Sequence, residues 1–309
     1  MKKIYFSALV LLLTFIDASA QQEPQYTQYM YNLNVINPAY AGFKENLSFG
    51  LLYRKQWVDI EDSPTTMTFS GSSPVGKNVG IGLNVISDKI GPSESTIVNA
   101  DFSYTLNLGD AHKLAFGLKA GATILDVNFA NVINTLPDAG DNAFSENISK
   151  TNPNLGAGLF FSAEKYYVSF AVPNMIQSTY LEINQGGEAS TYGEADIQYY
   201  LSGGYVFDLN PNLKFKPTVM LKSAFNVPMS VDLTANFLIQ EKLELGAAYR
   251  IEDSVDFMIN FAITPNLKLG YAYDYTLSDI KVTTTSSHEF VLLFDLNFPK
   301  KVSQSPRYF

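Results

Sequence analysis

Apolar and polar residues alternate with a period of two along most of the chain. In residues 255–263 every odd position is apolar, and the even positions are polar or small except for Met258. The same alternation runs through 197–207, 230–240 and 290–298. Successive side chains of a β-strand point to opposite faces, so the pattern predicts strands with one continuous apolar face.

The length of these strands and the polarity of their second face favour a transmembrane β-barrel. Strands of soluble proteins average about five or six residues, whereas these have roughly ten, as transmembrane strands do. A soluble barrel fills its interior with apolar side chains, but a membrane barrel turns them outward to lipid. We therefore predict an all-β, antiparallel transmembrane barrel of about fourteen strands, with twelve to sixteen compatible with the pattern. The predicted strands are 47–56, 65–73, 78–87, 95–108, 112–125, 153–163, 165–173, 196–207, 212–222, 228–239, 242–251, 254–263, 266–276 and 288–298.

The connections between these strands alternate in length. The even-numbered turns are tight and most carry Gly, Pro, Asn or Asp, as near 74–77, 109–111 and 208–211. Odd-numbered loops at 57–64, 88–94, 126–152, 174–195 and 277–287 are longer, and those at 223–227 and 252–253 are exceptions. Outer-membrane barrels have short periplasmic turns and longer outer loops. We therefore expect both chain ends to be periplasmic. Within the loop 174–195, residues 175–183 are compatible with a short helix.

Three segments flank or precede the predicted barrel, 47–298. Residues 1–20 have a basic start, a short apolar stretch and an Ala18-Ser19-Ala20 site, which together predict a secretory signal peptide. Residues 21–46 carry too many tyrosines and aliphatic residues to float freely, so we expect them to fold into or against the periplasmic mouth. Residues 299–309 form a periplasmic tail after the last strand.

Composition removes most catalytic and ligand-binding classes. The 309 residues include no Cys and two His, and the net charge is −9. Thiol chemistry, disulfides and His-rich or Cys-ligated metal centres are therefore excluded. The acidic balance disfavours nucleic acid as a partner. No cofactor motif is present, and we predict a protein without cofactor or catalysis.

Three weaker signals have alternative interpretations. His288 lies beside Ser286, Ser287 and Glu289 and suggests a barrel hydrolase, although a polar strand start at the membrane rim is favoured. Residues 138–142 offer oxygen ligands for Ca²⁺ within an acidic loop, but a solvated acidic face is the favoured interpretation. The glycines at 80, 82, 156 and 158 lie within strands and favour a wall that bends or that another segment approaches closely.

Several motifs resemble those of the PorP/SprF family. Gln28-Tyr29-Met30-Tyr31-Asn32, followed by Asn37-Pro38-Ala39-Tyr40-Ala41-Gly42, resembles the family's opening motif. Arg54-Lys55-Gln56-Trp57 resembles its R-x-QW motif, and Pro64-Thr65-Thr66 the Pro-x-Thr that follows. Asp62 stands where this family usually has glycine, which places the tight turn there in question. Asp88-Lys89-Ile90-Gly91 and Ser305-Pro306-Arg307-Tyr308-Phe309 are similar to a recurrent loop and to the ending of SprF-like members.

The resemblance implies an outer-membrane component of the type IX secretion and gliding machinery of Bacteroidota, in the outer membrane of a Gram-negative cell. The implied partners are a secreted surface adhesin with a type-B C-terminal domain, periplasmic lipoproteins of the same machinery, and outer-membrane lipids. The candidate partner-binding or structural residues are Asn37, Pro38, Tyr40, Gly42, Arg54, Gln56, Trp57, Pro306, Arg307, Tyr308 and Phe309.

Three functions remain open: a non-enzymatic secretion partner and adhesin anchor, which is favoured, a passive channel or hydrophobic-solute transporter, and a barrel enzyme. Alternation further predicts that Ile259 faces lipid, that Asn260 faces a polar lumen able to accept arginine, and that Arg54 faces inward. There Arg54 would hold residues 21–46 by hydrogen bonds, and Trp57 would either anchor at the membrane interface or contact a partner. Loops 126–152 and 174–195 are the expected receivers of the adhesin domain.

Overall fold

The computed structural model describes residues 24–44, 46–109, 111–128, 147–185, 188–224 and 227–296, with the side chains of 178–195 left undescribed. The predicted signal peptide, the candidate Ca²⁺ ligands at 138–142 and the C-terminal tail lie outside these residues. Within them, seventeen strands follow a short N-terminal segment of helical turns. The strands are β1 Leu47–Lys55, β2 Thr65–Pro74, β3 Val79–Ile90, β4 Ser93–Leu108, β5 His112–Val127, β6 Ile148–Ser162, β7 Tyr166–Val172, β8 Ser178–Gln185, β9 Glu188–Ala195, β10 Gln198–Tyr205, β11 Phe207–Asn210, β12 Leu213–Ala224, β13 Val227–Ile239, β14 Leu243–Arg250, β15 Ser254–Thr264, β16 Leu267–Thr276 and β17 Ser286–Leu296.

The strands form a closed antiparallel barrel of fourteen wall positions in the part of the chain that the structure describes. Each strand from β1 to β6 pairs with the next, and β10 then pairs with both β7 and β12. The strands β12 to β17 continue the wall, and β17 pairs with β1 to close it. β11 continues the wall position of β10 beyond Val206, and β8 and β9 form a separate hairpin. The prediction of an antiparallel barrel of about fourteen strands is confirmed.

The two faces of the wall have the predicted polarity. Outward positions carry large apolar side chains that remain exposed, such as Phe257, Ile259 and Phe261 on β15. Inward positions on the same strand, such as Asp256 and Asn260, are buried. The facing of Ile259 and Asn260 is therefore confirmed. The expectation that arginine fits at Asn260 is wrong, because this side chain is only 6% exposed in a filled lumen.

The two ends of the barrel differ in their connections. At the short-turn end, six connections of a few residues each join the strand pairs β2–β3, β4–β5, β6–β7, β11–β12, β13–β14 and β15–β16. At the long-loop end, residues 56–64, 128–147, 173–197 and 277–285 make longer connections. The expected long loop at 88–94 is wrong, because β3 and β4 pair through Ile90 and Ser93 and Gly91 takes a positive φ of 55°. That φ is readily available to glycine, so a tight hairpin forms instead.

The long connection 173–197 contains strands where a short helix was expected. Residues 178–185 and 188–195 pair as an antiparallel hairpin, so the interpretation of 175–183 as helical is wrong. Residues 175–183 mix apolar and polar side chains without a clear period. Their structure is therefore decided by cross-strand pairing with the segment that follows. Among the described residues, no helix has the length and apolar character needed to cross a membrane.

Candidate functional site

The N-terminal segment 24–44, called the plug below, lies inside the barrel. It consists of a 3₁₀ turn at Tyr29–Tyr31, a single α-helical turn, α1, at Leu33–Ile36, and a second 3₁₀ turn at Pro38–Tyr40. Most of its side chains are buried, and its polar groups contact inward-facing residues on many strands of the wall. The barrel lumen is therefore the site at which the described parts of the chain converge.

The plug runs along the barrel and does not rest at one mouth. Gln25 contacts Arg250, the last residue of β14, at the long-loop end. Lys44 forms an ion pair with Asp295 near the end of β17, at the short-turn end. Residues 21–46 were expected to fold into or against one mouth of the barrel, and the described residues 24–44 extend through the lumen from one end to the other. The polar residues 25–28 of the plug pair with buried charges of the opposite half.

Arg54 of β1 lies at the centre of the first of these charge clusters. Its Nη1 is 2.6 Å from Asp274 Oδ2 on β16 and 3.3 Å from Glu289 Oε2 on β17. The same nitrogen donates a 2.9 Å hydrogen bond to Thr27 Oγ1. Glu289 accepts the backbone N–H groups of Thr27 and Gln28 at 2.9 and 2.8 Å. Arg54 therefore faces inward and joins the plug to two strands of the wall.

Arg250 forms a second cluster that the sequence reasoning missed. Its Nε donates to Asp232 Oδ1 at 2.8 Å, and its Nη1 donates to Gln25 Oε1 at 3.1 Å. Nη2 also approaches the carbonyl oxygen of Tyr26 at 3.5 Å. The available signal was parity: Arg250 shares the inward row of β14 with Glu244, and an inward arginine in a barrel needs a partner in the lumen.

The middle of the plug is held on the opposite wall. Lys119 of β5 donates to the carbonyl oxygen of Val35 at 2.5 Å and lies 3.7 Å from Asp101. Asn84 of β3 donates to Asp101 and to the carbonyl oxygen of Asn34, whose side-chain amide donates back to Asn84 at 3.2 Å. Since these partners come from three adjacent strands, the plug fixes this part of the wall as well.

The Asn37–Gly42 motif occupies the short-turn half of the lumen. The Asn37 side-chain amide donates to Ser169 Oγ at 2.7 Å and to the carbonyl oxygen of Leu159 at 2.9 Å. Its Oδ1 accepts the N–H of Ala39 at 2.8 Å, which caps the 3₁₀ turn that begins at Pro38. Asn37 thus joins the fold of the motif to the strands β6 and β7.

Glycines in the wall make room for this motif. A Cβ atom at Gly117 on β5 would overlap the backbone of Ala39, and one at Gly158 on β6 would overlap Asn37. A Cβ at Gly80 on β3 would likewise meet the carbonyl of Ala41. The glycines at 80 and 158 were interpreted as allowing close approach of another segment, and the plug is that segment.

Aromatic side chains fill the remaining space beside the motif. Phe160 of β6 lies 5.2 Å from Tyr40 and 4.8 Å from Phe43 between ring centroids, both edge to face. Tyr167 of β7 stacks on Phe160 at 5.4 Å. These contacts bury large apolar areas within an otherwise polar lumen, so packing reinforces the hydrogen bonds that hold the plug.

The rest of the R-x-QW motif lies where β1 reaches the long-loop end. Gln56 N–H donates to the carbonyl oxygen of Pro64, and Trp57 N–H donates to Ser287 Oγ at 3.1 Å. Trp57 is partly buried and has a φ of +51°. Asp62 has a φ of +55°, a region that aspartate enters more easily than most residues. The tight turn is therefore kept where glycine is replaced.

Comparison with known proteins identifies the family. The model of the family described as type IX secretion system membrane protein PorP/SprF matches residues 18–294. The chain belongs to the PorP/SprF family. The family assignment supports a type IX secretion role at the membrane for this outer-membrane barrel. None of the curated proteins matches the chain.

Solved structures that resemble this PorP/SprF protein are outer-membrane barrels. The CymD monoaromatic hydrocarbon channel has a TM-score of 0.53 at 11% identity, covering 85% of this chain and 91% of its own. The Ralstonia pickettii toluene transporter TbuX has a TM-score of 0.52 at 13% identity, with coverages of 85% and 92%. At such low identity the likeness shows the fold alone.

The described part of this PorP/SprF barrel brings together neither a catalytic triad nor a metal cluster. His288 faces outward and lies 2.7 Å from the hydroxyl of Tyr271, whereas Ser287 and Glu289 face the lumen. Alternation thus separates His288 from Ser287 and Glu289, and Ser286 alone shares its outward face among the polar residues that suggested a hydrolase. No group of three His, Cys, Asp or Glu side chains among the described residues has the geometry of a metal site.

Proposed function

We propose that this PorP/SprF protein is a non-enzymatic, plugged barrel that binds the C-terminal domain of a secreted adhesin at its long-loop end. In this role it supports export of the adhesin and anchors it at the cell surface. The plug carries the proposal: residues 24–44 are tied to opposite sides of the wall by ion pairs, hydrogen bonds and aromatic packing.

A plug held in this way suits an anchor better than a passage for solutes. Opening the lumen requires separating Thr27 and Gln28 from Glu289, Gln25 from Arg250 and Val35 from Lys119. Buried polar groups that lose their partners cost about 1–3 kcal/mol each, and charged groups cost more. The barrel is thus a rigid platform that offers its two ends as surfaces for binding other proteins.

The long-loop end is the proposed receptor surface. The connection 173–197 carries the β8–β9 hairpin, a two-stranded sheet separate from the sheet of the wall. Exposed strand edges bind extended peptides by main-chain hydrogen bonds, so this hairpin suits a folded or extended secreted domain. We place this end outside the cell and the short-turn end in the periplasm, following the asymmetry of outer-membrane barrels.

The C-terminal residues Pro306, Arg307, Tyr308 and Phe309 extend this proposal to the periplasmic face. After β17 ends at the short-turn end, the chain has thirteen more residues. A short segment with a stiffening proline, a cation and two aromatic rings suits docking in a groove of a periplasmic lipoprotein.

Deletion of the hairpin tests the adhesin proposal in cells. A variant with residues 178–195 replaced by a short Gly-Ser linker should fold, because β8 and β9 pair only with each other. Adhesin should then be lost from the surface, and the heat-modifiable migration of the folded barrel should persist. The matched control shortens loop 277–285 instead. A folded hairpin deletion that still displays and retains the adhesin contradicts the proposal.

Conductance measurement separates the anchor from the channel alternative. Several barrels of similar fold are named as hydrocarbon channels or toluene transporters, but that likeness shows only the fold. In planar bilayers the intact protein should remain closed, whereas a variant lacking residues 24–41 should conduct. Open-channel currents from the intact protein would favour the channel function.

A further inference from the structure

Apolar side chains on the outer wall of the described barrel form a groove, a feature that a lipid-facing row of side chains does not need in order to face the membrane. The groove has a volume of about 420 Å³ and crosses the strands β16, β17, β1, β2 and β3. Its outward-facing lining includes Leu51, Tyr53, Met67, Phe69 and Phe290. This volume falls within the range of about 300–1,000 Å³ typical of sites for small ligands. Because the groove opens on the membrane-facing surface, an acyl chain is the apolar group positioned to enter it.

Cationic side chains lie directly beyond the groove at the long-loop end. Tyr53, Met67 and Ser87 form one row of paired residues across β1, β2 and β3. The next outward row, two residues further along each strand, consists of Lys55, Thr65 and Lys89. Adjacent strands are about 4.8 Å apart, so the two lysine backbones are separated by roughly 10 Å.

The row continues on the other side with His288 and Tyr273. His288 is the partner of Lys55 in the β1–β17 ladder and of Tyr273 in the β16–β17 ladder. Lys55 Nζ donates to the carbonyl oxygen of Ser63 at 2.8 Å and to Thr65 Oγ1 at 3.0 Å. An ammonium group has three donors, so Lys55 retains one for an anion. Lys89 is exposed, and Glu94 faces it on β4.

We propose that this groove and the lysine row form a binding site for an anionic, phosphate-bearing lipid of the leaflet at the long-loop end. The acyl chain lies in the groove between Leu51 and Phe69, and Lys55 and Lys89 contact the phosphate. Basic residues at the membrane surface attract anionic headgroups, and each buried methylene adds to the affinity. The bound lipid would cover the junction between the first and last strands, where the barrel closes.

Native mass spectrometry of the full barrel from nanodiscs tests this site. Nanodiscs of phosphatidylcholine with a minority of phosphatidylglycerol should yield a barrel that retains phosphatidylglycerol preferentially. The double variant Lys55→Gln/Lys89→Gln should lower this preference by roughly 25-fold, since each lysine contributes about fivefold. Lys77→Gln, in the exposed β2–β3 turn at the opposite end, is the matched control and should change nothing.

Two further variants are expected to change the retention of phosphatidylglycerol in opposite directions. Leu51→Trp should fill the groove and reduce retention while both lysines remain. Glu94→Gln should increase retention, because it removes a negative charge that repels the phosphate. Heat-modifiable migration confirms that each variant is folded. Equal retention of the two lipids by the native barrel, or retention that inorganic phosphate alone displaces, would overturn the proposal.

Discussion

Loss of Arg54 should release residues 24–28 of the plug from the wall. Arg54→Met keeps a side chain of similar length but leaves Asp274 and Glu289 without their counter-charge. All three side chains are at most 3% exposed. Breaking a buried ion pair by removing one partner costs about 3–5 kcal/mol, because the remaining charge is neither paired nor hydrated.

This cost should appear mainly in the opening of the plug. When residues 24–28 leave the lumen, water reaches Asp274 and Glu289 and the penalty of the unpaired carboxylates is relieved. Since about 1.4 kcal/mol corresponds to a tenfold change, the opening equilibrium should increase by roughly 150- to 5,000-fold. The barrel wall keeps its backbone ladders and should remain folded.

Amide hydrogen exchange measures this opening directly. The N–H groups of Thr27 and Gln28 both donate to Glu289, so their exchange rates report the state of the plug. Arg54→Met should accelerate their exchange by the factor given above, and Lys242→Met on the exposed β13–β14 turn should not. Adding Asp274→Asn and Glu289→Gln should restore much of the protection. Unchanged exchange in Arg54→Met, or no recovery in the triple variant, would show that the Arg54 ion pairs do not hold the plug in the lumen.

Three other substitutions test the wall and the motif. Ile259→Arg puts a charge on the lipid-facing side of β15, which should make the free energy of insertion less favourable by about 2–4 kcal/mol near the bilayer midplane. The control Ile263→Arg, near the strand end, should cost about 0–1 kcal/mol. Equal folded fractions of the two variants after refolding into vesicles would contradict the assigned register. Gly117→Val should displace the Asn37–Gly42 motif and expose the plug to protease, whereas Ala120→Val on the outer face of the same strand should not. Equal cleavage of the two variants would contradict the close approach of the Ala39 backbone to Gly117. Asn37→Ala removes hydrogen bonds to two strands and the cap on the N–H of Ala39, so it should destabilise the plug by about 1–3 kcal/mol. In limited proteolysis at increasing temperature, the plug of this variant should become cleavable at a lower temperature. An unchanged temperature would show that packing alone holds the motif.

Strand positions and facing were predictable because they depend on local alternation. A period of two survives in every wall strand, and a one-residue error would turn apolar side chains into the lumen. The ends were less predictable. The β3–β4 hairpin and the β8–β9 hairpin depend on which segments pair across a turn, and the residues alone carry little signal for that.

The path of the plug could not be derived from its own sequence. Its polar groups pair with single inward residues that lie far away in the chain, such as Arg54, Asp274 and Glu289. Parity alone indicated that Arg54 faces the lumen, which the structure confirms. Arg250 carried the same signal without a recognised motif beside it, and its role emerged only from the fold.

Direct binding of the adhesin's C-terminal domain to the purified barrel tests the central claim. Barrels in nanodiscs would be compared as the intact protein, as the variant lacking the 178–195 hairpin, and as the variant lacking residues 305–309. The intact barrel and the tail deletion should bind the domain with the same affinity, and the hairpin deletion should lose at least about tenfold in affinity, corresponding to about 1.4 kcal/mol. Equal binding by all three barrels, or no binding by the intact one, would contradict this claim.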